Sequence, residues 1–382
     1  MEGISESISK LLRTSGKGMS DEKEQNYSSV LPEGLCRRFS LAEIKKATND
    51  FADDLVIAEG VYGKVYKGFI DDRGISVAIK RLDMDLRQGI RELTKEVVLL
   101  CQLRHPNLIP FIGYCIDEGE RCLVYKFMVN GTLGQHIYGT DHDPLPWKQR
   151  LAICIGVASG LHYLHTGLKR TVIVREVKMS DIVLDEKLEA KLGGFRLSKM
   201  GPPSLSKALI RIESHGRGTY GYADPEYIQH GVLTDKSDVY SFGVVLFELL
   251  CGRIVLNKRL KVEEQQLISW AGKCKREGTI NEIIDPYLMG KIAPECFKIY
   301  VDIASSCVRK KEKDRPTIGE VEVEIEHALQ LQESADAARK DGEYDYPIDR
   351  LTCNDSPGES SPIEMNRYGR SASDSTELSE DE

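Results

Sequence analysis

Three features of this chain have the residue types and the spacing to handle phosphate. The stretch AEGVYGKV, Ala58 to Val65, places Gly60 and Gly63 between two β-rich runs. A glycine-rich turn of that kind lets backbone N–H groups approach phosphate oxygens closely; by itself it reads equally well as a plain hairpin. The next apolar run ends VAIK, at Lys80, where an ammonium can neutralise phosphate charge if a carboxylate fixes it. Glu96, on the helical stretch that follows, is the candidate partner. Taken alone, Lys80 is a surface lysine; in this order the three form a phosphate site. Further along, REVKMSD from Arg175 to Asp181 puts Glu176, Lys178 and Asp181 in one short loop. Its carboxylates suit a general base and an oxygen ligand for a hard cation.

These residues need a frame. LVIAEGVYGKVYKGFI and SVAIKRL read as strands around a turn at Asp71–Gly74. Ile90, Leu93, Val97 and Leu100 then recur at helical spacing. LIPFIGYCI and RCLVYKFM are two further strands. Beyond them the pattern is mainly helical, with a periodic segment from Trp147 to His165 and an apolar one from Asp238 to Leu250 that a fully buried helix would show. A small β-rich lobe followed by a larger α-rich lobe creates a cleft, a usual place for a ligand.

Bulk properties set limits. The 382 residues carry 41% hydrophobic and 29% charged side chains, ordinary for a folded soluble chain. A net charge of −8 argues against a nucleic-acid partner. No run is apolar for long enough to span a bilayer. The ten cysteines show no metal-ligand spacing and read as reduced thiols of a cytosolic protein.

The ordered set of glycine loop, Lys80 and Glu96 resembles the protein-kinase signature. GTYGYADPEY resembles the end of an activation segment, with Asp224-Pro225-Glu226 in the Ala-Pro-Glu place, and SDVYSFGVVLFELLCGR, containing Asp238, is similar to the central helix of the large lobe. FSLAEIKKATNDF and GVASGLHYLHTG are similar to plant receptor-like kinases. The resemblance implies an α+β, two-lobed kinase fold. It would comprise a flexible leader (1–38), a pre-kinase segment (39–54), a kinase domain (55–330, small lobe 55–128, large lobe 129–330) and a disordered acidic, Ser-rich tail (331–382). It also implies that Val65, Ala78 and Val183 flank an adenine ring, that Tyr125 stands behind it and that Lys126 to Met128 form the hinge. Leu100, Phe111, Val174 and Phe195 would make an apolar column between lobes, and Arg315 would pair with Glu226. Arg175, with Arg196, would clamp a phosphate placed on Ser204, Ser206, Ser214 or Thr219.

The pattern departs from the family at the chemistry. Glu176 stands for the base aspartate, Asp181 for the metal-binding asparagine, Val174 for a histidine and Gly194 for the metal-binding aspartate of the Asp-Phe-Gly turn. The longer Glu176 shifts its oxygens by about an ångström, enough to cost ~10²-fold in rate. Gly194 removes a ligand whose ion is worth several kcal/mol in the transition state. The expectation drawn from these losses is a pseudokinase. It would be a catalytically impaired, cytoplasmic scaffold or decoy for an active kinase or a growth or immune receptor, reaching the inner face of the plasma membrane through that partner. ATP would still fit, and magnesium binding would be doubtful. Two alternatives stay open: a weak Ser/Thr kinase with metal binding centred on Asp181, and a metal-independent ATP sensor.

Overall fold

A computed structural model describes residues 36–339 apart from 61–62, 72–73, 84–85, 140–141, 202–209 and 212–217, together with Tyr346. Six strands form the small lobe's sheet: β1 (Arg37–Arg38), β2 (Val56–Gly60), β3 (Gly63–Ile70), β4 (Ile75–Leu82), β5 (Phe111–Asp117) and β6 (Glu120–Lys126). Their order is β1-β5-β6-β4-β3-β2, with β1 and β5 parallel and the other pairs antiparallel. Alternation along the strands gives the sheet two distinct faces. Val77, Ile79 and Val124 face a layer made by Phe39 and helix α1 (Leu41–Ala47), which buries Leu41, Ile44 and Ala47. Ser40 and Glu43 cap α1 reciprocally: the Glu43 N–H donates to Ser40 Oγ at 3.2 Å and the Ser40 N–H to Glu43 Oε2 at 2.8 Å. The expected boundary at residue 38 therefore moves. Arg37 and Arg38 are already part of the sheet, and the segment after them is its covering layer.

Helix α2 (Leu86–Leu100) packs against the other side of the lobe, burying Leu93, Val97 and Leu100. The side chain of Ile90 lies outside the described residues. In the large lobe, short α3 (Leu133–Tyr138) is followed by α4 (Trp147–Thr166), β7 (Val172–Ile173), β8 (Ile182–Leu184), β9 (Ala190–Leu192), β10 (Lys199–Met200) and β11 (Ile210–Arg211). Next come α5 (Pro225–His230), β12 (Val232–Leu233), α6 (Asp235–Cys251), α7 (Leu267–Glu277), α8 (Pro294–Cys307) and α9 (Ile318–Ala338). From Ser237 to Cys251 every residue of α6 is buried, as its apolar circumference requires. The fold is α+β with a sheet-based small lobe and a helical large lobe, as the sequence implies.

The end of the large lobe differs from expectation. α9 continues past residue 330 to Ala338. Buried Gln332 accepts the Ala293 N–H at 2.8 Å, and Tyr346 donates from its hydroxyl to Asp336 at 2.9 Å. The acidic composition conceals a helix because its charges lie on the outer face, while Val321, Ile325 and Ala328 are buried. Arg315 also differs. Its guanidinium pairs with Asp224 Oδ1 at 2.7 Å, both side chains being essentially inaccessible, and it donates to the carbonyls of Lys236, Arg309 and Lys310. Glu226 instead accepts the Glu312 N–H.

Removing the cation from a buried pair strands a charge, which costs about 3–5 kcal/mol. Arg315→Met is therefore expected to lower the free energy of unfolding in urea by that amount. A change below about 1 kcal/mol would contradict the assigned pairing.

Candidate active site

β3, β4 and β6 place Lys80. Val65 pairs across from Lys80, Lys67 from Ala78, Ala78 from Tyr125 and Lys80 from Leu123. Directly opposed residues share a face, and so do positions two apart on one strand. Val65, Ala78, Lys80, Leu123 and Tyr125 thus lie together on the face turned away from α1. Gly60 and Gly63 close the hairpin ahead of them as a register pair. Gly63 has φ +116°, and a Cβ there would lie 2.1 Å from the Arg81 carbonyl oxygen, so only glycine fits. Met128 is buried and Val183 half-buried, on the chain just past β6 and on β8. Glu96 is buried on α2, and its charge helps to hold the Tyr125 hydroxyl protonated, after burial itself. The expected ion pair from Lys80 to Glu96 is not among those of the described residues; the field of Lys80 falls instead on Asp181.

The loop from Arg175 to Asp181 hangs from α6. Asp238, fully buried, accepts the backbone N–H groups of Val174 at 2.9 Å and Arg175 at 2.7 Å, and His165 Nε2 at 2.8 Å. Arg175 takes φ +84°, an uncommon conformation for a side chain with a Cβ. Its guanidinium is buried on Tyr227, donating to the hydroxyl and lying 5.1 Å from the ring centroid. Ser204, Ser206 and Ser214, the expected partners of Arg175 and Arg196, lie outside the described residues. Leu100, Val174 and Phe195 sit in one core with Phe111 packed against it.

Glu176 is buried and held from two sides. The Thr219 N–H donates to its Oε2 at 2.5 Å and the Thr219 hydroxyl to its Oε1. Lys178 Nζ lies 3.2 Å from that Oε1 and 3.2 Å from Thr219 Oγ1. Thr219, read from the sequence as a modification site, thus presents a hydroxyl to a carboxylate beside an ammonium. The sequence holds both residues but nothing that places them together.

Asp181 and Gly194 are joined by the Gly193 N–H, which donates to the Asp181 carbonyl at 2.7 Å. Gly194 has φ +78°. A Cβ on it would lie 2.7 Å from Asp181 Cγ and 2.8 Å from Asp181 Oδ2. The Asp181 carboxyl group therefore stands in the space that a side chain on residue 194 would need. Burial pushes its pKa up to about 6, against the pull of Lys178 and Lys80. Among the described residues, no group of three or more His, Cys, Asp or Glu is arranged to hold a metal ion unaided. Magnesium, however, is usually bound by one or two carboxylates together with substrate phosphates. A carboxylate lodged in this space, beside Lys80 and Lys178, fits that mode.

Residues 53–325 match the family model of protein tyrosine and serine/threonine kinases. The chain is 48% identical over 330 residues to "Receptor-like protein kinase FERONIA" of Arabidopsis thaliana, covering 86% of this chain and 36% of that protein. It is 51% and 50% identical over 314 residues to "Receptor-like protein kinase ANXUR2" and "ANXUR1" of the same plant, covering 82% of this chain and 36% of each. The chain thus spans about a third of the length of the curated relatives it matches. These matches overturn the expectation of a catalytically impaired scaffold, since the proteins alike over most of this chain are named as protein kinases. Doubt about magnesium is likewise unsupported, because a kinase domain implies ATP use and, usually, magnesium. No helix among the described residues is long and apolar enough to cross a membrane.

Raising a carboxyl pKa from 3.8 to about 6 on folding means that, between those pH values, the folded protein keeps a proton the unfolded chain has released. Stability contributed by this group falls as pH rises through that window. Asp181→Asn should therefore stabilise the protein at pH 7.5 by about 1 to 2 kcal/mol, less than the full shift because Asp181 keeps some contact with water, and by almost nothing at pH 3.5. Urea titrations of both proteins at the two pH values check this, and a pH-independent difference would refute it.

Proposed function

The chain belongs to the protein tyrosine and serine/threonine kinase family, and from that premise we propose that it is an ATP-dependent protein serine/threonine kinase whose metal-phosphate site is centred on Asp181. The observation carrying this reading is the overlap between Asp181 and residue 194: the carboxylate missing from the turn is replaced, in space, by one from the neighbouring loop. Lys178 beside Glu176 supports serine or threonine as the acceptor, as the family resemblance implies. The names of the relatives, receptor-like protein kinases, support a receptor or another kinase as partner.

In this mechanism Gly60 and Gly63 let the β2–β3 hairpin lie close over the phosphates, and Lys80 neutralises their charge. Val65, Ala78 and Val183 enclose the base, with Met128 at its edge. Magnesium, when bound by Asp181, supplies neutralisation of charge across the phosphates. The substrate hydroxyl takes up the position that Thr219 Oγ1 models at Glu176 Oε1. Glu176 then accepts its proton, while Lys178 stabilises the negative charge growing near the transferred group. Positioning and electrostatics supply most of phosphoryl transfer, so the longer Glu176 slows the step without removing its chemistry.

Purified chain incubated with ATP and magnesium or manganese should place phosphate on serine or threonine more slowly than the ~1 to 100 s⁻¹ of ordinary kinases. Lys80→Ala and Asp181→Asn should each lower that rate by about 10²-fold or more. Absence of transfer with both metals, or thermal stabilisation by ATP that ignores metal and leads to no turnover, would sink the proposal. Gly194→Asp provides a separate check. Two carboxyl groups cannot share the space and the backbone is left-handed, so this variant should lose about 1–3 kcal/mol of stability.

A further inference from the structure

Beyond α9 the chain meets the large lobe again at Tyr346. Its N–H donates to the carbonyl of Gly290, a buried residue, at 2.8 Å, and its hydroxyl donates to Asp336 Oδ1 at 2.9 Å. The ring is half-buried and packs against the core of the lobe, with the Arg339 guanidinium 4.2 Å from its centroid. Gln332 ties the two anchors together: its side-chain amide donates to the Lys291 carbonyl at 3.2 Å and to Asp336 Oδ1 at 2.9 Å.

The Tyr346 hydroxyl meets a carboxylate that is charged and fixed in place. Burial works to raise the Asp336 pKa, but the hydrogen bonds from Lys148, Tyr346 and Gln332 outweigh it and hold the group below its ordinary range. Lys148 Nζ lies 3.0 Å from Asp336 Oδ2, so both carboxylate oxygens are engaged. Asp336 also sits in the last turn of α9, which ends at Ala338, where unpaired carbonyls form the negative end of the helix dipole. Burial first, and then the bond to Asp336, push the Tyr346 hydroxyl up to about 12, so it remains a donor at neutral pH. A phosphate on that oxygen would remove the donor and set a charge of about −1.5 to −2 against a carboxylate and a helix C-terminus, two surroundings in which phosphorylation disrupts. The nearby cations are already engaged, Lys148 by Asp336 and Arg339 by the ring.

We propose that Tyr346 is a tyrosine-phosphorylation site that works as a latch: the unmodified side chain holds the chain beyond α9 on the large lobe, and a phosphate on its hydroxyl releases it. The modifying enzyme is a protein tyrosine kinase with ATP as donor. In the transfer the phenolic oxygen bonds to the γ-phosphorus, the bond from that phosphorus to the β–γ bridging oxygen breaks, ADP departs, and the phenolic proton passes to that enzyme's base. One backbone hydrogen bond, one side-chain hydrogen bond and one ring contact are few enough to open locally while the lobe stays folded, and the hydroxyl is reached in that open state. Once phosphorylated, the side chain has no proton to give Asp336 and repels it, so the open state persists. Hydrolysis of the ester by a phosphatase, with water as the second reactant, returns the tyrosine and inorganic phosphate. Release uncovers Asp336, Arg339 and the Gly290 carbonyl at the surface of the lobe.

The test uses the full chain carrying Tyr344→Phe, so that Tyr346 is the one tyrosine between α9 and residue 350. It is treated with a broad-specificity tyrosine kinase, ATP and magnesium, and mass mapping should find phosphate on Tyr346. Amide hydrogen exchange then compares the two forms. The peptide holding Tyr346 should be protected before treatment, exchange roughly tenfold faster or more after it, and regain protection when a phosphatase is added. Tyr346→Ala should exchange as the phosphorylated chain does, and in Tyr346→Phe the same treatment should change nothing at this peptide. Asp336→Ala removes the opposing carboxylate and leaves Lys148 and Arg339 to receive the phosphate, so there phosphorylation should no longer speed exchange. The proposal is overturned if Tyr346 takes no phosphate, if its peptide is unprotected in the unmodified chain, or if the phosphorylated chain stays as protected as the unmodified one. None of these readouts depends on this chain's own kinase activity, so failure here and failure of the kinase reading are separable.

Discussion

Asp238 is the constraint on which the site depends. It is a fully buried carboxylate, a costly thing to place inside a protein, and it is tolerated because two backbone N–H groups and a histidine ring nitrogen converge on it. Those donors are where the loop of Glu176, Lys178 and Asp181 begins. The hydrogen bond from Arg175 fixes a residue whose backbone is left-handed, a conformation that persists only when its surroundings over-determine it. The replacement of histidine by Val174 leaves this arrangement intact. The anchoring group is the backbone N–H, and the valine side chain sits in the core with no polar atom to satisfy.

The same helix holds the other half of the site. Glu248, thirteen residues of chain length down α6 from the start of the loop anchor's turn at Asp235, is also fully buried; it accepts the Tyr222 hydroxyl at 2.7 Å and the Val255 N–H at 2.8 Å, and burial pushes its pKa up to about 7. Ser237 donates to Asp224 at 2.8 Å, and Asp224 in turn holds Arg315. Through Tyr222 and Asp224, α6 fixes the segment that presents Thr219; through Asp238 it fixes the loop that presents Glu176. One buried helix thereby sets the distance between a carboxylate and the hydroxyl it receives.

Much of this was legible in the chain. Period-2 alternation suffices to put Ala78 and Lys80 on one face, the β3–β4 register adds Val65, and the apolar circumference of α6 announces its burial. What remained hidden needed three dimensions. Asp224 and Glu226 are two residues apart, and either could have met Arg315; the choice follows from the cap of α5, where Asp224 bonds the Glu226 N–H and turns its other oxygen inward to Ser237. Thr219 is an ordinary threonine until the chain returns it to Glu176. The acidic run after residue 330 matches a solvated tail in composition, and its buried Gln332 carries no apolar signal.

The substitution at Gly194 illustrates how far a motif can mislead. Read along the chain, it deletes a ligand; read in space, it empties a volume that Asp181 fills. An asparagine at 181 beside an aspartate at 194 and an aspartate at 181 beside a glycine at 194 carry the same number of carboxylates. They differ in where the negative charge is anchored, on the turn or on the loop suspended from α6. In the proposed mechanism that relocation ties the metal-phosphate site more closely to Asp238 and makes it more dependent on protonation, because burial pushes the pKa of the Asp181 carboxyl up to about 6. On that proposal the chemistry would be conditioned less by the sequence of the turn than by the solvation of the Asp181 side chain.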